Sequence, residues 1–226
     1  LDLVQGLNAE RLKADGVNPA VEAVIESFEL AFRMQSEVPA LMDLNKEPAA
    51  LRESYGIGNR ATDNFGRQCL LARRLAEAGV RFIELNAGNA DHHRNHRTTL
   101  ERSCADTDQP IAALLADLAA RDMLKDTLVM WGGEFGRTPK VNGSAGRDHW
   151  GRVMSVMLSG GDLKVGQIVG SSDSNGAVPK DRPYRPENVL AMLYRHLGID
   201  PAMTFNDRSG RPRYLLERRE LITELV

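Results

Sequence analysis

Apolar residues recur along this chain with two different periods, and the alternation between them lays out the elements. Asn18-Pro19 reads as a helix start, an N-cap followed by proline at the first helical position. Val21, Val24, Ile25 and Phe28 then recur at helical spacing, a pattern that carries to about residue 36. The stretch before it, up to Gly16, mixes polar and apolar residues and is also expected to be helical. A looser connection over 37–60 holds one short helix, P-A-A-L-R-E-S-Y, ended by Gly56 and Gly58. Phe65, Cys69, Leu70, Leu71 and Leu75 predict a strong helix over 61–78, with Gly79 as its stop. Residues 98–123 return to helix, with Ile111, Leu114, Leu115 and Leu118 as the buried face and Pro110 as a point of restart. A last clear helix opens on Pro186, runs to Leu197 and stops at Gly198.

Short apolar runs interleave with these helices. Residues 80–85 (V-R-F-I-E-L), 127–131 (T-L-V-M-W) and 153–158 (V-M-S-V-M-L) are expected as strands, with a fourth, shorter one over 167–170. Helix–strand–helix–strand order predicts parallel pairing through helical crossovers. The expected fold class is therefore α/β: a layered, mostly parallel sheet flanked by helices, with residues 1–226 as a single domain. Three or four strands are few for a sheet covered on both faces, so the sheet is expected to be incomplete.

Composition narrows the function classes. With 42% apolar residues the chain can build a sizeable core, while a formal charge of −2 and a pI near 6.3 argue against nucleic acid or an anionic membrane surface as partner. No run approaches the length of a spanning helix, so no membrane insertion is expected. Cys69 and Cys104 make neither a disulfide framework nor a zinc knuckle. There is no G-x-S-x-G elbow, no P-loop and no complete G-x-G-x-x-G after a strand. No serine is marked by its surroundings as a nucleophile.

The chemistry concentrates in two loops, each following an expected strand. The first carries Asp91, His92, His93 and His96; the second carries Glu134, Arg137, Asp148 and His149. Ligands of α/β proteins bind beyond the carboxyl ends of the strands. Loops leaving neighbouring strands at the same sheet end lie close enough to share a metal ion, and carboxylates with imidazoles suit Zn²⁺, Mn²⁺ or iron better than Ca²⁺ or Mg²⁺. Asp91 and His93 can chelate together if the backbone is extended, since residues two apart then share a side. His92 and His96 are expected in solvent or behind the ligands, and His196 at the surface or at a helix end. Asp148 is either a ligand or the group that orients His149 or a nearby stretch of backbone. Arg137 has two readings: a fork for an anionic substrate group, or a salt bridge to Glu134 or Asp148. Arg94, Lys140 and Arg147 are weaker anion contacts.

The run W-G-G-E-F-G-R-T-P, followed by G-R-D-H-W, resembles bacterial sulfatase-like proteins grouped as a domain of unknown function, relatives of the alkaline phosphatase superfamily. A-R-R-L-A-E-A-G-V-R-F-I-E-L, the D-H-H loop and P-E-N-V-L-A-M-L-Y-R-H-L-G-I-D extend the likeness over nearly the whole chain. The resemblance implies an alkaline-phosphatase-like sheet, incomplete at its N-terminal side, because such proteins are about twice as long and this chain matches their C-terminal part. It implies a metal-dependent hydrolase of phosphate or sulfate esters acting on a small-molecule or glycan ester. Asp91 and His93 match the first ligand set, Glu134 the second acid and His149 the closing histidine, with Zn or Mn as the divalent metal. A periplasmic or secreted location goes with the family. Phe135 stands where many superfamily members carry a histidine, and Ala90 replaces the family's usual tryptophan. The C-x-P-x-R sulfatase motif is missing, and the nucleophile-bearing half is not represented, so full activity is not expected from this stretch alone. The alternative is a non-catalytic domain that binds an anionic glycan or a protein partner.

Overall fold

A computed structural model describes residues 2–16, 18–88 and 91–226, which leaves Ala90 outside the described residues. The chain divides into two compact units, Leu1–Lys46 and Glu47–Val226. The first holds α1 (Asp2–Asp15) and α2 (Pro19–Met42). α2 begins where the sequence signals it, with Val21 N and Glu22 N both donating to Asn18 O at 3.0 Å. It runs beyond residue 36 and includes Pro39. Val21, Val24 and Phe28 on its apolar face are exposed.

The second unit is built on α3 (Ala49–Ser54), α4 (Asp63–Glu77), α5 (His96–Ala120) and α6 (Pro186–Leu197). Phe65, Cys69 and Leu70 of α4 and Leu114 and Leu118 of α5 are buried, as the helical spacing predicts, and Tyr55 is buried with them. Each such apolar side chain contributes roughly 1.5–3 kcal/mol on burial. α3 and α4 approach so closely that a Cβ on Gly66 would lie 2.2 Å from Tyr55 O, which explains the glycine inside a helix. A charged cluster sits in the same core. Arg73 is 1% exposed and pairs with Glu47 at 2.7 Å, Asp117 at 2.9 Å and Glu77 at 2.5 Å. Tyr55 Oη donates to the same Asp117 carboxylate at 2.9 Å. Burial pushes the Glu47 carboxyl up, but the hydrogen bonds from Arg73 and Arg74 outweigh it and hold the group below its ordinary value.

α5 passes through Pro110 as one continuous helix, so the expected restart is not observed. α6 matches its predicted limits: Pro186 is its first residue, Arg185 N donates to Asn188 Oδ1 at 2.8 Å, and Gly198 ends it at φ +73.

The strands are β1 (Val129–Gly132), β2 (Gly136–Arg137), β3 (His149–Trp150), β4 (Val156–Ser159), β5 (Ser171–Ser172), β6 (Pro179–Asp181), β7 (Thr204–Asn206) and β8 (Pro212–Tyr214). They pair as β1–β4, β2–β3, β5–β6 and β7–β8, each pair antiparallel. Two sequence expectations are corrected by this arrangement. Residues 80–85 form no strand: Val80 and Phe82 are exposed, and Arg81 reaches instead to Leu197 O at 2.7 Å. An apolar run becomes a strand only when a neighbouring strand takes its backbone groups; here Val80 N donates back to Leu75 O at 3.0 Å, and no ladder forms over the run among the described residues. Residues 167–170 likewise lie just before β5 instead of forming a strand. β1 pairs with β4, so residues 133–155 are an elaborated hairpin loop and β2–β3 is a small second hairpin within it. Behind β4, Leu158 packs on a smaller core of Met192, Ile222 and Leu225.

Candidate metal centre

Three backbone hydrogen bonds dock the hairpin loop onto the segment before α5. Arg147 N donates to His92 O at 3.1 Å, Asn95 N to Ser144 O at 3.1 Å and His96 N to Ala145 O at 2.8 Å. The two loops loaded with chemistry therefore do converge, although not as the ends of neighbouring parallel strands. Contact is so close that a Cβ on Gly146 would lie 1.9 Å from His93 O. Within the loop, the β2–β3 register sets Arg137 directly opposite His149, so their side chains leave the hairpin as neighbours. Gly136, next to Arg137, has Val153 O where a Cβ would stand, at 1.7 Å.

Three donor atoms meet at this junction. Asp91 Oδ1 is 3.0 Å from His93 Nε2 and 3.0 Å from His149 Nε2, and the two imidazole nitrogens are 3.1 Å apart. This is a near-equilateral triangle. Donors bound at 2.0–2.1 Å to one tetrahedral ion are separated by roughly 3.3 Å, so the triangle has about the size of one face of such a site. The second nitrogen of His93 explains the arrangement further. Its Nδ1 lies 2.8 Å from Asp148 Oδ1, and a carboxylate there accepts the Nδ1 proton. In neutral His93 the Nε2 lone pair then faces the lone pairs of Asp91 Oδ1. A cation between the donors relieves that opposition, as does a proton on His149 Nε2 shared between the two acceptors.

The charges around the triangle are shared among few groups. Arg137, 18% exposed, donates through Nη1 to Asp91 Oδ1 at 2.5 Å and lies 3.6 Å from Glu134 Oε1. The hydrogen bonds from Arg137 and then His149 lower the Asp91 carboxyl to about 2. The His93 bond, followed by that of Asn142, holds Asp148 below the usual carboxylate range. On one flank the Phe135 ring packs on His149, with centroids 4.4 Å apart.

Asp91, His93 and His149 are thus brought together as one group with metal-ligating geometry. Glu134 lies outside that group, its side chain 64% exposed and paired with Arg137. Asp148 orients His93, not His149. His92 is buried away from the triangle, where its Nε2 meets Ser103 Oγ at 3.2 Å. His96 sits 5.8 Å from the His92 ring, with a buried Nδ1 that has no hydrogen-bond partner among the described residues, and burial lowers its pKa. Arg147 is structural: its Nη1 donates to Thr138 O at 2.6 Å and Pro139 O at 2.8 Å. His196 is part of the fold, its Nε2 accepting from Leu128 N at 3.3 Å.

A family described as a protein of unknown function (DUF1501) matches residues 1–226. The chain belongs to the DUF1501 family. No curated protein and no solved structure matches it. Among the described residues of this DUF1501 chain, no helix is long and apolar enough to cross a membrane.

Sequence reasoning missed Asn142, Gly146 and Thr138. Thr138 Oγ1 accepts from Asp148 N at 3.1 Å, and Asn142 has contacts to both loops. The one local signal for Asn142 was the Asn142-Gly143 dipeptide, which marks a turn but says nothing of what the amide holds.

Proposed function

We propose that this chain carries the metal-holding part of a hydrolase of phosphate or sulfate esters, with the layered, alkaline-phosphatase-like α/β architecture that its sulfatase-like motifs imply. The observation that carries the reading is the Asp148–His93 bond, which turns a bare imidazole nitrogen toward Asp91 and His149. Asp91, His93 and His149 would hold a divalent ion, with Zn or Mn suited to the donor set. Such an ion supplies Lewis acidity toward an ester oxygen. Asp148 keeps His93 in its ligating tautomer. Arg137 stands beside Asp91 with the planar fork that matches phosphate and sulfate oxygens, and so favours an anionic small-molecule or glycan ester. Glu134 sets a competing charge next to that fork and makes Arg137 selective for ligands that out-compete a carboxylate.

One observation favours a non-catalytic reading. Phe135 covers the flank of His149 with an apolar ring at the position where the resemblance leads one to expect a further histidine. On that reading the site holds an anionic glycan or a protein partner without turnover. Metal content by elemental analysis of the wild type and His149→Ala, with aryl phosphate and aryl sulfate assays in Zn²⁺ and Mn²⁺, separates the cases. The hydrolase reading expects metal in the wild type, less in the variant, and ester turnover lost with His149. Equal metal content in the two proteins removes His149 as a ligand. Metal uptake without turnover on either ester, both in this chain and in a protein extended on its N-terminal side, selects the binding role.

A further inference from the structure

The amide of Asn142 uses its whole hydrogen-bonding capacity at the junction of the two loops. Its Oδ1 accepts from Ser144 N and Gly146 N, both at 2.9 Å, and so closes the turn that docks on His93. Its Nδ2 donates to His93 O at 3.2 Å and to Asp148 Oδ1 at 3.1 Å. A primary amide has two donors and two acceptor lone pairs, and all four are spent. The backbone of the same residue adds two bonds, Asn142 N to Gly146 O at 2.8 Å and Ala145 N to Asn142 O at 3.1 Å.

The two Nδ2 bonds matter most. One holds the main chain of His93, and the other holds the same Asp148 oxygen that receives the His93 Nδ1 proton. Asn142 therefore ties the backbone and the imidazole of one residue to a single amide. Rotation of Asp148 away from His93 would break the Asn142 bond as well. We propose that Asn142 is the positioning residue of the metal centre: it locks Asp148 against His93 Nδ1 and thereby fixes the direction of His93 Nε2. This inference rests on the metal reading above and adds to it a residue that touches no proposed ligand atom.

Asn142→Asp and Asn142→Ala give the test, each titrated with Co²⁺ against a competing chelator, with the visible d–d absorption recorded. Asp keeps the two acceptor bonds that close the turn but has no N–H for His93 O or Asp148. It also brings a negative charge toward the site, and by electrostatics alone that strengthens cation binding. A positioning role predicts the opposite sign. Outer partners of metal ligands typically change affinity ten- to a hundred-fold. Both variants are therefore expected to bind Co²⁺ about ten-fold or more weakly than the wild type, with an altered absorption envelope. Circular dichroism confirms that Asn142→Asp, which retains the turn, is folded at the titration temperature. Wild-type affinity and spectrum in Asn142→Asp, or tighter binding, overturns the role of Asn142 and leaves the metal reading intact. If the wild type itself takes up no Co²⁺, the metal reading fails and this role falls with it.

Discussion

Gly146 is the position where one added carbon atom tests the metal centre most sharply. In Gly146→Ala the new Cβ would lie 1.9 Å from His93 O, 2.0 Å from His93 C and 2.5 Å from Arg94 N, all backbone atoms that no rotamer change can move. A carbon–oxygen contact needs roughly 3.1 Å, so the loops must part by about 1.2 Å. His149 is three residues beyond Gly146 and moves with it, so its 3.1 Å separation from His93 Nε2 would grow toward roughly 4.3 Å. Two donors on one ion at 2.0–2.1 Å can be at most about 4.2 Å apart, and then only in a line. The displaced pair no longer fits one tetrahedral ion. Affinity for Zn²⁺ or Co²⁺ is expected to fall at least about a hundred-fold, equivalent to about 2.7 kcal/mol. Overpacking also destabilises by about 1–3 kcal/mol, so calorimetric titration is run well below the melting temperature of the variant. Gly143→Ala, three residues away with nothing within 4 Å of its added Cβ, is the matched control and should bind as the wild type does. If Gly146→Ala binds with wild-type affinity, the triangle of Asp91, His93 and His149 is not the metal site.

Acidification and the buried arginine give two further tests. With the Asp91 carboxyl held at about 2 by Arg137 and His149, its contribution to stability is fully present above the ordinary carboxylate value and is lost only as pH falls through about 2. Asp91 thus remains a charged ligand over the range in which imidazoles gain protons, and metal release in a chelator-monitored acid titration should follow histidine protonation. A release midpoint near pH 2 would show a site governed by the carboxylate instead. Arg73→Ala would leave Glu47 and Asp117, 10% and 7% exposed, without their shared cation. Breaking such a buried cluster costs about 3–5 kcal/mol, to be read as a lower urea midpoint; a change below 1 kcal/mol would mean that Arg74 and Arg121 hold the two acids well enough alone.

Helices were legible in the chain because their signals are local. Pro186 and Gly198 bracket α6, and the spacing of Phe65, Cys69 and Leu70 marks the buried face of α4. Strands need partners, and their partners are not local. The run over 80–85 has strand composition yet no ladder among the described residues, and β1 takes β4 instead of a parallel neighbour. Asp91, His93 and His149 could be picked out because carboxylate and imidazole at loop positions are conspicuous by type. What holds them was not legible: Gly146 and Asn142 act through backbone approach and amide geometry, and a glycine or asparagine in a loop looks the same whether it fills a turn or carries a site. Glu134 shows the reverse case, a conspicuous residue that the fold sets outside the cluster.

The Arg137 guanidinium already sits on the Asp91 oxygen that the metal reading requires. On the metal reading, an ion at Asp91 would meet a carboxylate that already has a cation beside it, not an empty anionic hole. To displace the guanidinium, an incoming ion would have to be better matched to two imidazoles and a carboxylate, which favours a divalent ion. The displaced arginine has Glu134 within 3.6 Å to turn to, so its charge is handed on without being stranded. Metal and anion would then act in sequence on the same side chain, the first releasing the arginine and the second drawing it away from Glu134.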